Sequence, residues 1–459
     1  MSEAFSISKE RNNNKNTKKG TTMKAMVGIL CATAAACCLA AAKGPWIKGV
    51  TDKCPLDYKV GETMVFTLTL EQAESLPDGL EVEWTRTGDD GKTESGKVPA
   101  KAGQPLVVKT SLDRPGFVRI YALVRKADGS VWMPDGRVAK KDRAGGYSGS
   151  VFFDGGAGVD VAAIQQGVAE PADFDAFWAR HKATLAVVPM EGVKLSELPS
   201  KNPKVKIFTV SVPCAGPKPA TGYLLMPTAK GKFPAEISFH GYGASWMRGA
   251  TDAPDGSRAN GAVIRLILSA HGFELNRDAA YYRAEHEKAK SNGYGHGFDP
   301  AQNADPEKAY FCGMTYRVMR GLEYLKSLPE WNGRDLAVVG ASQGGLQSIW
   351  GAALVPGVTE ARISIPWCCD IGGTSVGRNH GDWFIEWVPA LGYYDPVNMA
   401  KRIPKECTVT ITRAGLGDYT CPPTGVAAFY NNLSCPKKIS WMQGSTHGYL
   451  PPEREKYDR

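Results

Sequence analysis

Residues 340–344, which read Gly-Ala-Ser-Gln-Gly, constrain the fold of this chain more than any other segment. They follow the apolar run 336–339, which predicts a buried strand, and precede residues 346–354, where apolar and small residues repeat at helical spacing. A Gly-x-Ser-x-Gly motif between a strand and a helix places its serine on a sharp, strained turn that needs small neighbours. The segment therefore predicts a nucleophile at Ser342. The alternative is an inert serine in a glycine-rich turn.

A serine hydroxyl needs a histidine to remove its proton and a carboxylate to orient that histidine. In proteins whose serine lies on such a turn, the acid follows the serine in the chain and the histidine follows the acid. Only His380 and His447 lie downstream of Ser342. His447 occupies a Gly- and Ser-rich loop after the strand-like residues 438–442, whereas His380 lies in a polar stretch among aromatic residues. We therefore favour His447 as the base, with His380 as the alternative.

The acid should follow the strand that precedes the histidine strand. Residues 407–412 are rich in β-branched residues and predict that strand, and the loop after them contains Asp418. Asp370 is the rival, because it follows the strand-like residues 363–367 and an acid one strand earlier would also serve. The strand order favours Asp418.

The tetrahedral intermediate of acyl transfer requires two backbone N–H groups directed at its oxygen. One belongs to the residue after the nucleophile, here Gln343, and the other to a loop after an earlier strand. Residues 235–239 predict that strand, and the loop that follows indicates the backbone N–H of Tyr242. The alternative is a tight glycine turn without this role. We expect His240 to be structural.

Residues 170–450 resemble the acetylxylan esterase and cephalosporin C deacetylase group, carbohydrate esterase family seven, within the α/β-hydrolases. The matching segments are residues 173–178, 239–242, 340–345, 417–418, 421–423 and 447–448. The resemblance implies Ser342 as nucleophile, Asp418 and His447 as its partners, and Tyr242 with Gln343 as oxyanion donors.

Two segments depart from the pattern of that family. Its Arg-Gly-Gln motif is replaced by His271-Gly272-Phe273, and the asparagine after His-Gly-Tyr is replaced by Gly243. Both departures leave the triad residues unchanged and fall where they can reshape the pocket. The resemblance therefore supports serine-ester chemistry more strongly than it supports one acyl group.

The N-terminal 42 residues have the pattern of a signal peptide. Residues 1–22 are polar and basic, residues 25–42 are apolar, and Ala40 to Ala42 fit a cleavage site. We expect a secreted or periplasmic protein, with either Met1 or Met23 as the start, and an uncleaved anchor as the alternative. No later stretch approaches the length of apolar sequence that a membrane span needs. The mature protein is therefore expected to lie off the membrane.

Composition fits a soluble globular protein with more than one core. The chain has 459 residues, of which 43% are hydrophobic and 22% charged. Part of its net charge of +8 comes from the basic N-terminal segment, so nothing indicates a nucleic-acid partner. A homo-oligomer is left open.

Residues 44–160 predict an all-β domain. Strand patterns at residues 64–70, 80–85, 106–108 and 117–124 are separated by turn signals, a spacing typical of an immunoglobulin-like sandwich. We expect a spacer or docking domain. Sugar binding through Trp84 or Trp132 is the alternative, although a buried role is favoured for Trp84.

Residues 165–459 alternate strand and helix patterns, which predicts an α/β domain with a mostly parallel sheet and helices on both faces. Met314, Val318, Leu322 and Leu325 share one face of a predicted helix. Residues 281–303, rich in Gly, His, Lys and Glu, are expected to form a solvated surface loop or to overhang the pocket.

Eight cysteines remain after the signal segment, an even number that permits disulfides in an exported protein. Cys407 and Cys435 begin two consecutive predicted strands, so a bridge between them is our expectation. The remaining cysteines and histidines lack the spacing of a structural zinc site.

Together these features predict a secreted serine esterase that removes acetyl or other small acyl groups from carbohydrate such as acetylated xylan. The reaction passes through an acyl-enzyme on Ser342 and requires no metal or organic cofactor. The alternatives are a peptidase or another carboxylesterase on the same fold, and an inactive carbohydrate-binding scaffold.

Overall fold

We describe a computed structural model of the chain over residues 44–74, 76–141, 146–243 and 253–459. The predicted signal peptide and its cleavage site lie outside these residues. Among the described helices, none combines the length and the apolar character needed to cross a bilayer.

The N-terminal part forms two antiparallel sheets. Its strands are β1 (Trp46–Thr51), β2 (Met64–Glu71), β3 (Glu81–Gly88), β4 (Glu94–Pro99), β5 (Leu106–Thr110), β6 (Gly116–Arg125) and β7 (Phe152–Val159). One sheet has the order β1-β2-β5 and the other β4-β3-β6-β7. Alternate residues of β2, including Met64, Phe66 and Leu68, are buried in one core with Val82 and Ile120 of the second sheet. The four strands expected from sequence are β2, β3, β5 and β6.

The remainder of the chain forms a sheet of ten strands surrounded by helices. The strands are β8 (Lys194–Leu198), β9 (Val205–Val212), β10 (Ala220–Pro227), β11 (Phe233–Phe239), β12 (Ile264–Leu268), β13 (Trp331–Ser342), β14 (Glu360–Pro366), β15 (Thr408–Gly415), β16 (Lys437–Met442) and β17 (Lys456–Asp458). The helices are α1 (Phe174–Ala186), α2 (Ala279–Lys288), α3 (Pro300–Asn303), α4 (Tyr310–Ser327), α5 (Gln343–Leu354), α6 (Pro396–Ala400) and α7 (Pro423–Asn431).

The large sheet is mixed. Its order is β17-β16-β15-β14-β13-β11-β12-β10-β9-β8, and the six strands from β16 to β12 in this order run parallel to one another. The outer strands β17, β10, β9 and β8 pair antiparallel. β8, β9 and β10 follow one another through short connections, which suffice for antiparallel neighbours but not for parallel crossovers. The expectation of a mostly parallel sheet therefore holds for its centre and fails at its edges.

Helices α4 and α5 pack against the central strands. The expected apolar face of α4, made of Met314, Val318, Leu322 and Leu325, is fully buried. Trp350 of α5 is buried as well, and its indole N–H donates to the Tyr394 carbonyl oxygen at 2.8 Å. These contacts fix the helix whose first turn lies beside Ser342.

The N-terminal sheets are joined to the catalytic region by buried polar contacts. Asp89, at the end of β3, accepts hydrogen bonds from the N–H groups of Phe117 and Asn379 at 2.7 and 2.8 Å and from the Thr424 hydroxyl at 2.5 Å. The Gln443 side chain both donates to and accepts from the backbone of Gly156 in β7. The N-terminal sheets thus share hydrogen bonds with three separate segments of the rest of the chain: the loop at Asn379, helix α7 at Thr424 and the residues after β16 at Gln443.

The expected bridge between Cys407 and Cys435 is wrong. Both thiols are free and buried, as are those of Cys312, Cys369 and Cys421. Burial raises the pKa of Cys407 to about 12, with a smaller contribution from Cys435. The two residues precede β15 and β16, which are adjacent parallel strands, yet their thiols form no bond.

Candidate active site

Ser342 lies at the junction of β13 and α5 in a backbone conformation that ordinary residues avoid. Its φ is 58° and its ψ −122°, and it is 7% exposed. A Cβ on Gly340 would lie 2.2 Å from the Gly344 carbonyl oxygen, and one on Gly344 would lie 2.3 Å from that of Phe239. The two glycines are therefore required for the close approach that makes this turn.

Parallel strands bring the expected site residues to one edge of the sheet. Tyr242 follows β11, Ser342 ends β13, Asp418 follows β15 and His447 follows β16. These strands are neighbours apart from β14, which lies between β13 and β15. Residues far apart in sequence thus converge at the carboxyl ends of the strands.

Asp418 and His447 form a hydrogen-bonded pair. The His447 Nδ1 lies 3.1 Å from the Asp418 Oδ2. Asp418 is fully buried, whereas the His447 side chain is 22% exposed. The other carboxylate oxygen of Asp418 accepts hydrogen bonds from the N–H groups of Thr420 at 3.2 Å and Cys421 at 3.0 Å. This geometry favours the tautomer with hydrogen on Nδ1, which leaves Nε2 able to accept a proton. Within the described residues, no hydrogen bond joins His447 to Ser342; such bonds often form only with substrate bound.

Cys421 lies against this pair without taking part in it. Its Sγ is 3.7 Å from the His447 Nδ1 and 3.3 Å from the Ile365 carbonyl oxygen. Burial raises the pKa of the Cys421 thiol well above its ordinary value, so the group stays neutral. Asp418, Cys421 and His447 have ligand atoms close enough to hold a cation, as do His181, Glu307 and Cys312. In both groups a histidine nitrogen is already paired with a carboxylate.

The two alternative residues lie in other environments. Asp370 forms an ion pair with Arg378 and accepts the N–H of Gly167 at 2.7 Å. The His380 ring contacts Phe384, and its Nδ1 lies 2.8 Å from the Gly381 carbonyl oxygen. Neither is hydrogen-bonded to His447 or Asp418 in the described part of the chain.

The two expected oxyanion donors occupy the loop after β11 and the first turn of α5. Gln343 is the first residue of α5, so its N–H has no acceptor within the helix. Behind Tyr242, His240 donates from Nδ1 to the Gly241 carbonyl oxygen and accepts the Ala270 N–H at Nε2, at 2.8 and 3.1 Å. His240 is thus structural, as expected.

A group of aromatic side chains surrounds Tyr242. Its ring stacks on His296 with centroids 4.0 Å apart and meets Phe298, Trp367 and Trp383 edge to face at 5.0 to 5.6 Å. The backbone N–H of Trp367 also donates to the Ser342 carbonyl oxygen at 3.3 Å. Tyr242, Phe298 and Trp383 are half-buried, so this cluster offers aromatic surface beside the nucleophile.

Sequence reasoning missed His296 and Phe298. The expectation of a solvated loop over residues 281–303 is wrong in both halves. Residues 281–288 belong to helix α2, and His296, Asp299 and Asn303 are buried in the second half. Asp299 caps α3 and accepts hydrogen bonds from Ser291 and Asn292, which holds this segment against the protein. The repeated Gly and His residues were the one available signal, and their pattern is also that of an exposed loop.

The N-terminal sheets contact the loop that contains Asp418. Arg119 pairs with Asp154 at 2.6 Å and places its guanidinium 4.4 Å from the centre of the Tyr419 ring. A Cβ on Gly417 would lie 1.9 Å from the Asp154 carbonyl oxygen, so the two backbones are in close contact. Gly417 and Tyr419, the residues on either side of Asp418, thus both contact the N-terminal part.

The mixed sheet, with a strained serine between a central strand and the following helix, defines the class of the α/β-hydrolases. Within this class, the family model described as acetyl xylan esterase matches residues 162–375 and 382–458. The chain belongs to the acetyl xylan esterase family and is a carboxylic-ester hydrolase. The expected membership of carbohydrate esterase family seven is confirmed.

One curated relative is similar to this chain in sequence, and two solved structures are similar to it in fold. Acetyl esterase Axe7A of Xylanibacter ruminicola is 28% identical over 399 residues, covering 83% of this chain and 82% of its own length. The acetyl xylan esterase of Paenibacillus sp. R4 has a TM-score of 0.52 at 23% identity and covers 63% of this chain and 94% of its own. Acetyl xylan esterase 1 of Thermoanaerobacterium sp. JW/SL YS485 has a TM-score of 0.52 at 24% identity, with coverages of 63% and 93%.

Proposed function

We propose that the protein is a serine esterase that removes acetyl groups from carbohydrate such as acetylated xylan, with Ser342, His447 and Asp418 as its triad. One observation carries the proposal: the Asp418–His447 hydrogen bond lies at the same sheet edge as the strained Ser342. The relatives named above as acetyl and acetyl xylan esterases support the substrate class.

In the proposed reaction, the Nε2 of His447 accepts the Ser342 proton while Oγ attacks the acetyl carbonyl carbon. The N–H groups of Gln343 and Tyr242 donate to the oxygen that becomes negatively charged. The bond from the carbonyl carbon to the sugar oxygen then breaks, and His447 returns the proton to the leaving hydroxyl. Water, deprotonated by the same histidine, hydrolyses the acetyl-serine and regenerates the enzyme. Asp418 holds the imidazole in position throughout.

The aromatic cluster gives a physical basis for carbohydrate as the alcohol part of the ester. Trp383 lies parallel to Phe298, with an interplanar angle of 3° and centroids 5.7 Å apart. Both rings are half-buried and sit beside Tyr242. Half-exposed aromatic rings present flat apolar surface to the C–H faces of sugars while their edges stay in contact with the protein.

Three further features belong to the same proposal. Residues 1–42 act as a signal peptide, so that the mature enzyme meets its polysaccharide outside the cytoplasm. Residues 44–160 form an immunoglobulin-like sandwich, for which the two antiparallel sheets of three and four strands are the support. Residues 165–459 form the catalytic domain, close to the span of the family match.

Release of acetate from acetylated xylo-oligosaccharides tests the proposal. The wild type should release acetate, and it should act more slowly on butyryl and longer esters of the same sugars. The Ser342→Ala variant should release none, while its melting temperature stays within a few degrees of the wild type. Rapid hydrolysis of peptides or of long-chain esters, with acetylated sugars untouched, would exclude carbohydrate deacetylation.

A further inference from the structure

His296 contacts the residues of both proposed oxyanion donors. Its ring stacks on the Tyr242 ring at a centroid distance of 4.0 Å and an interplanar angle of 11°. The Tyr242 hydroxyl donates to the His296 carbonyl oxygen at 3.1 Å. The His296 Nε2 lies 3.1 Å from the Gln343 Oε1. One buried residue thus connects the loop after β11 to the first turn of α5.

The Gln343 side chain depends on this contact. Gln343 is fully buried, and its Nε2 has no hydrogen-bond partner among the described residues. The bond to His296 is the one hydrogen bond that its side-chain amide makes there. An amide buried without any partner is costly, so loss of this bond would let Gln343 turn away and shift the start of α5.

His296 is held neutral and immobile. It is 4% exposed, and burial is the main cause that lowers its pKa to about 3. Its ring packs against His271 and Tyr310 at centroid distances of 4.6 and 5.0 Å, and the Tyr310 hydroxyl is 2.8 Å from the His271 Nδ1. A neutral imidazole with Nε2 protonated donates to Gln343 and adds no charge beside the developing oxyanion.

We propose that His296 is a positioning residue of the oxyanion hole, which fixes the Tyr242 and Gln343 backbone N–H groups at the spacing that the transition state requires. The inference rests on the proposed function of those two N–H groups. It gives a role to a histidine that does not reach Ser342, Asp418 or His447 in the described hydrogen bonds. Preorganised donors of this kind act on the transition state more than on bound substrate.

The test compares variants that remove the hydrogen bond from either side. His296→Phe keeps a ring for stacking on Tyr242 but loses the donor, and Gln343→Met keeps the backbone N–H but loses the acceptor. Each should lower kcat on an aryl acetate about 10²-fold with KM changed by less than about threefold. The double variant should be little worse than either single one, because both remove the same bond. His296→Gln, which places an amide N–H near the Nε2 position, should recover part of the loss.

A boronic acid distinguishes positioning from a general structural effect, because its adduct with a serine places a negative oxygen where the oxyanion forms. Its affinity should fall in His296→Phe by the same factor as kcat/KM. His286→Phe is the matched control, since the His286 ring packs against His271 and Phe273 and, in the contacts described for this chain, reaches neither Tyr242 nor Gln343. This variant should behave as the wild type.

Two results would overturn the role of His296: wild-type kcat in His296→Phe and Gln343→Met, or reduced kcat with unchanged boronate affinity. Circular dichroism identifies a variant that does not fold, and the other variant then decides. Failure of the proposed serine mechanism has a different signature, because the wild type itself would then neither hydrolyse the acetate nor bind the boronic acid. Failure of the proposed substrate class alone would leave both of these wild-type activities intact, with acetylated sugars untouched.

Discussion

Asp418 is fixed by its bond to His447 and by two backbone N–H groups. In Asp418→Asn, an amide can keep most of these contacts but favours the wrong imidazole tautomer. We expect kcat to fall about 10³- to 10⁴-fold with little change in KM. Asp370→Asn is the control. Its kcat is expressed per folded molecule, because loss of the buried ion pair between Asp370 and Arg378 can lower the folded fraction. An inactive Asp370→Asn enzyme beside an active Asp418→Asn enzyme would reverse the assignment.

His296 should make the protein sensitive to acid. Burial lowers its pKa in the folded state to about 3, while the unfolded chain binds a proton near pH 6.5, so stability from this residue is present above pH 6.5 and is lost as the pH falls. Between pH 7 and pH 5 the loss is about 2 kcal/mol. Urea unfolding of the wild type and His296→Phe at both pH values measures it. The variant should lose less stability than the wild type by about that amount, and equal losses would contradict the assigned neutral state.

The sequence was informative about residues whose chemistry is tied to chain order. Ser342 is marked by its glycines, and His447 and Asp418 follow it in the order that the reaction class requires. His296 has no such mark. It precedes the nucleophile in a glycine-rich segment. It is buried because Asp299 and Asn303 hold that segment in place and because its ring stacks on Tyr242, and the sequence pattern does not reveal these contacts.

At the level of elements, the turn between β13 and α5 depends on backbone contact. Gly340→Ala would place a Cβ 2.2 Å from the Gly344 carbonyl oxygen, which cannot move without displacing the helix. We expect a loss of stability of about 3 kcal/mol or more and the loss of esterase activity. Gly44→Ala is the control, because no atom of the described part of the chain lies within 4 Å of its new Cβ. Denaturant unfolding and acetate release check both variants, and a stable, active Gly340→Ala enzyme would show that the turn is not strained as described.

Strand β7 shows why some elements could not be predicted. Its sequence, Phe-Phe-Asp-Gly-Gly-Ala-Gly-Val, is rich in glycine, which ordinarily weakens a strand. A Cβ on Gly156 would lie 2.2 Å from the Val118 carbonyl oxygen and 3.1 Å from that of Leu416. The glycines thus allow β7 to fit between β6 and the loop before Asp418. The need for glycine here becomes clear only when the positions of β6 and of that loop are known.

At the scale of the whole molecule, the N-terminal sheets and the catalytic region should unfold together. Asp89→Ala would leave the N–H groups of Phe117 and Asn379 and the Thr424 hydroxyl without their acceptor, which costs about 3 to 5 kcal/mol. We expect urea unfolding of the wild type to show one transition and the variant to shift its midpoint downward. Asp113→Ala is the control, because Asp113 is half exposed in the loop between β5 and β6 of the same N-terminal part. Two separate transitions in the wild type would contradict this coupling.

The central claim is that Ser342 forms the covalent intermediate, and labelling with a fluorophosphonate followed by peptide mass spectrometry tests it most directly. We predict one adduct, on the peptide that contains Ser342, formed quickly by the wild type and at least about 100-fold more slowly by His447→Ala. The Ser342→Ala variant should take up no label and release no acetate. An active enzyme that is labelled at another residue, or not labelled at all, would contradict the account.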